Sequence, residues 1–167
     1  MAQQLFEALR NLPPEWVVVI LSAAPFIELR GGIPAGIIMG LPLAHILPLA
    51  IVSNVLSVLP VVLGFNWVAE RLADKPLLGR LITGLIRRAR SKEEMVNKHG
   101  VWAVTLFVAI PLPVTGAWTG SLVAAVFGMR FGRVLFCLTV GVMIASAIVT
   151  SLTVAGVHIF SVLAAAP

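Results

Sequence analysis

The sequence has no tyrosine, one cysteine, three histidines and one aspartate, and only 19 of its 167 residues are charged. Each shortage excludes something. The lone Cys137 sits in an apolar run, so neither an intramolecular disulfide nor a cysteine metal cluster is available. His45, His99 and His158 are scattered, and no metal-ligand spacing, phosphate loop or nucleophile motif occurs, so neither a cofactor nor enzyme chemistry is expected. Soluble domains carry about 25% charged residues; 11% here, with 59% hydrophobic, excludes a soluble globular domain and a disordered chain.

The charges that are present cluster. Twelve lie between Glu70 and Lys98, and the others are Glu7, Arg10, Glu15, Glu28, Arg30, Arg130 and Arg133. A pI near 10.7 arising from one basic loop in an apolar chain reflects membrane topology, not a nucleic-acid partner. The charges at Glu7, Arg10 and Glu15, and the apolar stretch that runs past Pro25 into Glu28, do not make a cleaved signal.

A bilayer core about 30 Å thick needs about 20 helical residues. Leu43 to Ala69 and Val134 to Phe160 are long enough. Trp16 to Ile27 is not: 12 residues give about 18 Å of helix before Glu28-Leu29-Arg30-Gly31-Gly32-Ile33-Pro34. Val101 to Ile110 likewise stops at Pro111-Leu112-Pro113-Val114-Thr115-Gly116, and Ala117 to Phe127 resumes it. Broken helices inside a membrane are tolerated only where protein or a wet cavity covers them, so each half reads as a re-entrant hairpin followed by a full span.

An offset of 88 residues aligns Pro25 with Pro113, Gly32 with Gly120, Gly36 with Ala124 and Gly40 with Gly128. Small residues at four-residue intervals then offer each half a flat helix face for close packing. Two hairpin-plus-span halves have opposite orientation. With residues 70–98 cytoplasmic, ten of the twelve basic residues fall on that side, a better partition than four complete spans allow. The expected architecture is all-α integral membrane: a first repeat over 1–69 (N-terminal helix, hairpin about 16–40, span about 43–69), a basic cytoplasmic segment over 70–98, and a second repeat over 99–167 (hairpin about 101–128, span about 131–160). Within the loop, Leu77, Leu78, Leu81, Ile82, Leu85, Ile86 and Ala89 share one face of an interfacial amphipathic helix. Bacterial or archaeal inner membrane is the expected location, with membrane lipids and a second copy of the chain as expected partners.

Glu28 and Arg30 are the only charges between Trp16 and Ala69. Charge at membrane depth costs several kcal/mol and marks a partner or a pathway. At i and i+2 they share one side of an extended segment, with Gly31 and Gly32 loosening the backbone and Pro34 in the first turn of the following helix. A guanidinium beside a helix N-terminus makes an anion site. In the second hairpin Thr115 is placed to cap a helix beginning near Gly116, with Pro113 before it and Trp118 beside it. The alternative for Glu28 and Arg30 is mutual neutralisation. Asn54 in the first span reads as an interhelical hydrogen-bonding group, and Arg130 and Arg133 as flanking topology signals able to meet lipid phosphate.

The stretches Glu28-Leu29-Arg30-Gly31-Gly32-Ile33-Pro34-Ala35-Gly36 and Pro111-Leu112-Pro113-Val114-Thr115-Gly116-Ala117-Trp118-Thr119-Gly120 resemble signature segments of the small multi-drug export protein family, and the resemblance covers nearly the whole chain. That family looks distantly related to the DedA proteins, which pair re-entrant helices with transmembrane helices in inverted repeats. DedA proteins are linked to flipping undecaprenyl phosphate, with acidic residues in the first hairpin and arginines in the second. Glu28 matches the acidic element; no arginine stands between Val101 and Met129. The resemblance implies a transporter or flippase for an anionic or amphipathic molecule, with Glu28 carrying a proton, or else a drug exporter or a non-transporting scaffold or scramblase.

Overall fold

The computed structural model describes residues 12–73, 93–111 and 116–164, and among these the only regular elements are α-helices. They are α1 (Pro14–Ala23), α2 (Glu28–Ile38), α3 (Leu43–Ala73), α4 (Glu93–Ala109), α5 (Ala117–Val126) and α6 (Phe131–Ala164). Two contain stretches long and apolar enough to cross a membrane, Leu43–Gly64 with 22 residues and Phe131–Ser161 with 31. At 1.5 Å per residue these reach about 33 and 46 Å, beyond the roughly 30 Å of hydrocarbon. The ten or eleven residues of α1, α2 and α5 give only about 15 Å each. Helix α3 runs to Ala73, past the expected end at 69. Residues 1–11 and the amphipathic segment around 77–89 lie outside the described residues.

The first break is not where the glycines suggest. Helix α1 ends at Ala23; Ala24 is extended (φ −68, ψ 133), as a residue before proline must be, and Phe26 takes φ 71. Helix α2 then starts at Glu28, so Glu28 and Arg30 are not on an extended segment, Gly31 and Gly32 do not open the backbone, and Pro34 lies inside the helix instead of its first turn. Packing explains the difference. A Cβ on Gly32 would meet Ser22 Oγ and the Val18 carbonyl, and one on Gly36 would meet Val18 and Ile46, so both glycines bring α2 against its neighbours as helix. Pro34 gives up one amide but keeps a helical φ. The second break agrees with the sequence: α4 ends at Ala109 and α5 begins at Ala117.

At the far ends of α2 and α5 the 88-residue spacing recurs bond by bond. Gly40 N–H donates to Ile37 O and Leu41 N–H to Gly36 O; Gly128 N–H donates to Ala125 O and Met129 N–H to Ala124 O, all at 3.0 Å. These are paired Schellman caps, and Gly40 (φ 80) and Gly128 (φ 66) occupy the left-handed position that favours glycine. With nothing within 4 Å of a Cβ at either, they stop helices and do not extend the flat packing face expected of them. Pro42 and Arg130 then accept the first bonds of α3 and α6.

Helix α2 packs on α6 and α5 on α3, so each short helix lies against the long helix of the other half, and α3 touches α6 directly. These helices and α4 share one core that includes Ile33, Ile46, Ala50, Val58, Val108, Ala117, Ala124, Cys137 and Leu138, all buried, while Trp16, Phe26, Leu56, Leu63, Trp102, Leu152 and Phe160 face outward. An outer surface this apolar suits lipid.

A helix that stops inside such an assembly needs partners for its last carbonyls. Ala24 N–H donates to Ile20 O (3.0 Å) and Leu21 O (3.3 Å), Asn54 Nδ2 to Ser22 O (2.8 Å), and Trp118 Nε1 to Ala23 O (3.2 Å). All four carbonyls at the end of α1 are thereby satisfied. Asn54 is thus the interhelical hydrogen-bonding group its position suggests. Asn54→Ala should destabilise the protein by about 1–3 kcal/mol, the cost of an unsatisfied buried acceptor, seen as a lower thermal midpoint in detergent.

Candidate functional site

The two breaks meet. Glu28, buried at 6% relative exposure, begins α2 in the left-handed region with φ 53, a conformation that costs a non-glycine residue about 1–3 kcal/mol. This turns its carboxylate across to the other half. Glu28 Oε1 accepts from Trp118 N–H at 3.1 Å, and the Ala117 amide lies close enough to favour the charged carboxylate. These are the first two amides of α5, whose own N-cap, Gly116, supplies no side-chain bond. Thr115, expected as the cap, lies with Pro113 outside the described residues; the oxygen that accepts from the Trp118 amide comes from 90 residues away in sequence.

Arg30 Nη2, two residues further along the same helix, stands 3.8 Å from Glu28 Oε2. The pair is charge-coupled and too long for a hydrogen bond. Glu28 is therefore held mainly by the α5 amides, with the guanidinium as a second, weaker restraint.

Around them lies a cavity of about 110 Å³, lined by Glu28, Arg30, Trp118 and Thr119 together with Pro25, Phe26 and Leu122. Drug-sized ligands occupy pockets of about 300–1,000 Å³, whereas a water takes about 30 Å³. In this conformation the cavity admits a group the size of a phosphate or a few waters. The starts of α2 and α5 and the Arg30 guanidinium bring positive charge to it, against the Glu28 carboxylate and the carbonyl end of α1.

Of the residues singled out in the sequence, Glu28, Arg30, Gly116 and Trp118 come together here. Gly31 and Gly32 instead face Ile27 and Ser22, Pro34 is half-buried within α2, and Asn54 holds the end of α1. Arg130 and Arg133 are exposed at the start of α6. Sequence reasoning missed Phe26, Thr119, Leu122 and the carbonyl of Ala23. The spacing of 88 carried part of that information, because it makes Gly116 the counterpart of Glu28 and Trp118 the counterpart of Arg30.

Residues 28–148 match the family described as "Putative small multi-drug export protein". The chain belongs to this family. The match starts at Glu28 itself and takes in α2, the second break and most of α6, nearly three quarters of the length. The family description suggests an export protein more than an enzyme, and with the two apolar helices it suggests a membrane protein. No curated protein and no solved structure matches the chain.

Proposed function

We propose that the chain is a proton-coupled membrane transporter whose site lies between two re-entrant hairpins, α1–α2 and α4–α5, arranged as an inverted repeat. The observation that carries the reading is the Glu28 carboxylate bonded to the Trp118 amide at 3.1 Å beside Arg30. An ionised Glu28 fills the positive end of α5. A protonated Glu28 has no charge to hold there, and the two helix starts and Arg30 then attract an anion. Proton and substrate anion therefore bind together. The substrate class is an amphipathic anion with a compact head group, such as a lipid phosphate, since the cavity of about 110 Å³ holds the head group alone. Gly31, Gly32 and Pro34 shape the first hairpin in this reading, and Arg130 and Arg133 meet lipid head groups. In this reading the basic segment 70–98 faces the cytoplasm of a bacterial or archaeal cell, and a second copy of the chain covers the hairpins.

Coupled binding sets a direction. In proteoliposomes with a pH gradient, a short-chain phosphatidic acid carrying an NBD fluorophore moves toward the alkaline leaflet, read by dithionite quenching. Movement that ignores the gradient would make the protein a scramblase, and none at all would make it a scaffold. A second reading, export of amphipathic cations, is favoured by the family description and by Phe26 and Trp118 at the cavity wall. It predicts that ethidium, not the phosphatidic acid, responds to the gradient, moving opposite to the proton.

A further inference from the structure

Gly116 is glycine for reasons of space. Its φ of 163 is extended backbone open to any residue, so conformation does not demand glycine. A Cβ there would instead overlap Glu28 Oε2, Oε1 and Cδ. The carboxylate reaches the α5 amides only through the room that Gly116 leaves.

Glu28 and Gly116 are also counterparts at the 88-residue offset, as α2 and α5 are, and α3 and α6. Counterpart residues in contact with each other lie on the axis that relates their halves. From position 28 a carboxylate meets the start of α5; by the same offset one at position 116 would face the start of α2, where the Glu28 N–H already donates to Ala24 O at 3.0 Å and the amides after it would be its partners. We infer that Gly116 is a positioning residue for Glu28 and that positions 28 and 116 are interchangeable seats for one carboxylate shared by the two half-helices. The backbone favours the exchange. Position 28, at φ 53, suits glycine better than glutamate, and position 116 accepts any side chain. The present arrangement keeps the strained seat because it puts Arg30 on the same helix as the carboxylate, 3.8 Å away.

This inference rests on the transport reading above, and the test separates the two. Full-length wild type, Glu28→Gln, Gly116→Ala, Glu28→Gly and the double variant E28G/G116E are reconstituted, and gradient-driven movement of NBD-labelled phosphatidic acid is measured across a range of pH. Arg30, on Glu28's own helix, is the only charged group acting on Glu28 among the described residues; the preceding turn presents Pro25 and Phe26, α5 presents Trp118, Thr119 and Leu122, and α3 and α6 bring none. A changed pH profile in Gly116→Ala thus reports the carboxylate's seat. The expected results are loss of transport in Glu28→Gln and Glu28→Gly, a fall of about tenfold with a displaced pH profile in Gly116→Ala, and recovery of most of the wild-type rate in E28G/G116E. A folded Gly116→Ala protein with the wild-type rate and profile, while Glu28→Gln is inactive, overturns the inference alone, as does a folded double variant no better than Glu28→Gly. If the double variant does not fold, Gly116→Ala decides. A wild-type rate in Glu28→Gln overturns the transport reading itself.

Discussion

Glu28→Gln leaves the protein folded and lowers gradient-driven transport by about a hundredfold, the upper range of a coupling free energy removed at one group. The fold should survive because the amide oxygen of glutamine still accepts the Trp118 N–H that Glu28 Oε1 accepts at 3.1 Å. Coupling should not survive, because glutamine neither takes up nor releases a proton, and Arg30 and the start of α5 then face the cavity without their switchable counter-charge. Retained detergent stability with lost transport separates this outcome from misfolding. A variant that moved NBD-labelled phosphatidic acid at the wild-type rate would leave the carboxylate with a purely structural part as an N-cap.

Gly32→Val should have the largest effect on stability, about 3 kcal/mol or more, as over-packing does where backbone cannot yield. The first added carbon would meet Ser22 Oγ and the Val18 carbonyl, and the second of these is main chain of α1. Separating α1 from α2 would also pull Ala23 O from Trp118 and Ser22 O from Asn54, so one substitution opens both the hairpin and the cavity wall. Thermal unfolding followed in detergent gives the size of the effect. Gly40→Ala is the control, since nothing lies within 4 Å of a Cβ there and only the left-handed cap is strained.

What the sequence made legible was set by length and by punctuation that acts locally. Two helices long enough to span, and a break between Ile110 and Gly116 with a helix resuming at Ala117, follow from apolar run lengths and from prolines that cannot continue a helix. The first break was misread because Gly31, Gly32 and Pro34 carry every local signal of a loop. Their glycines are instead contact points, and the break comes earlier, where Pro25 holds Ala24 extended and Phe26 turns left-handed. Tertiary contact outweighs propensity there. Gly40 and Gly128 fit a four-residue stripe on paper but serve as helix caps, a distinction that only the sign of φ reveals. Glu28 and Arg30 stood out as charges that neither solubility nor topology requires. Gly116 and Trp118 stood out as well, but not the bond that joins Trp118 to Glu28, because a carboxylate capping a helix in the other half leaves no spacing signature in its own segment. The single trace was the coincidence of Glu28 with Gly116 at the repeat offset.

If one carboxylate and the substrate anion take turns at the start of α5, binding of the anion draws a proton onto Glu28. Short-chain phosphatidic acid is added to the detergent-solubilised wild-type protein in weak buffer, and the pH change is compared with that of Glu28→Gln. The prediction is one proton taken up per bound anion in the wild type and none in the variant. Equal uptake in both proteins, or anion binding to the wild type with no uptake at all, would mean that Glu28 and the anion do not exchange at α5.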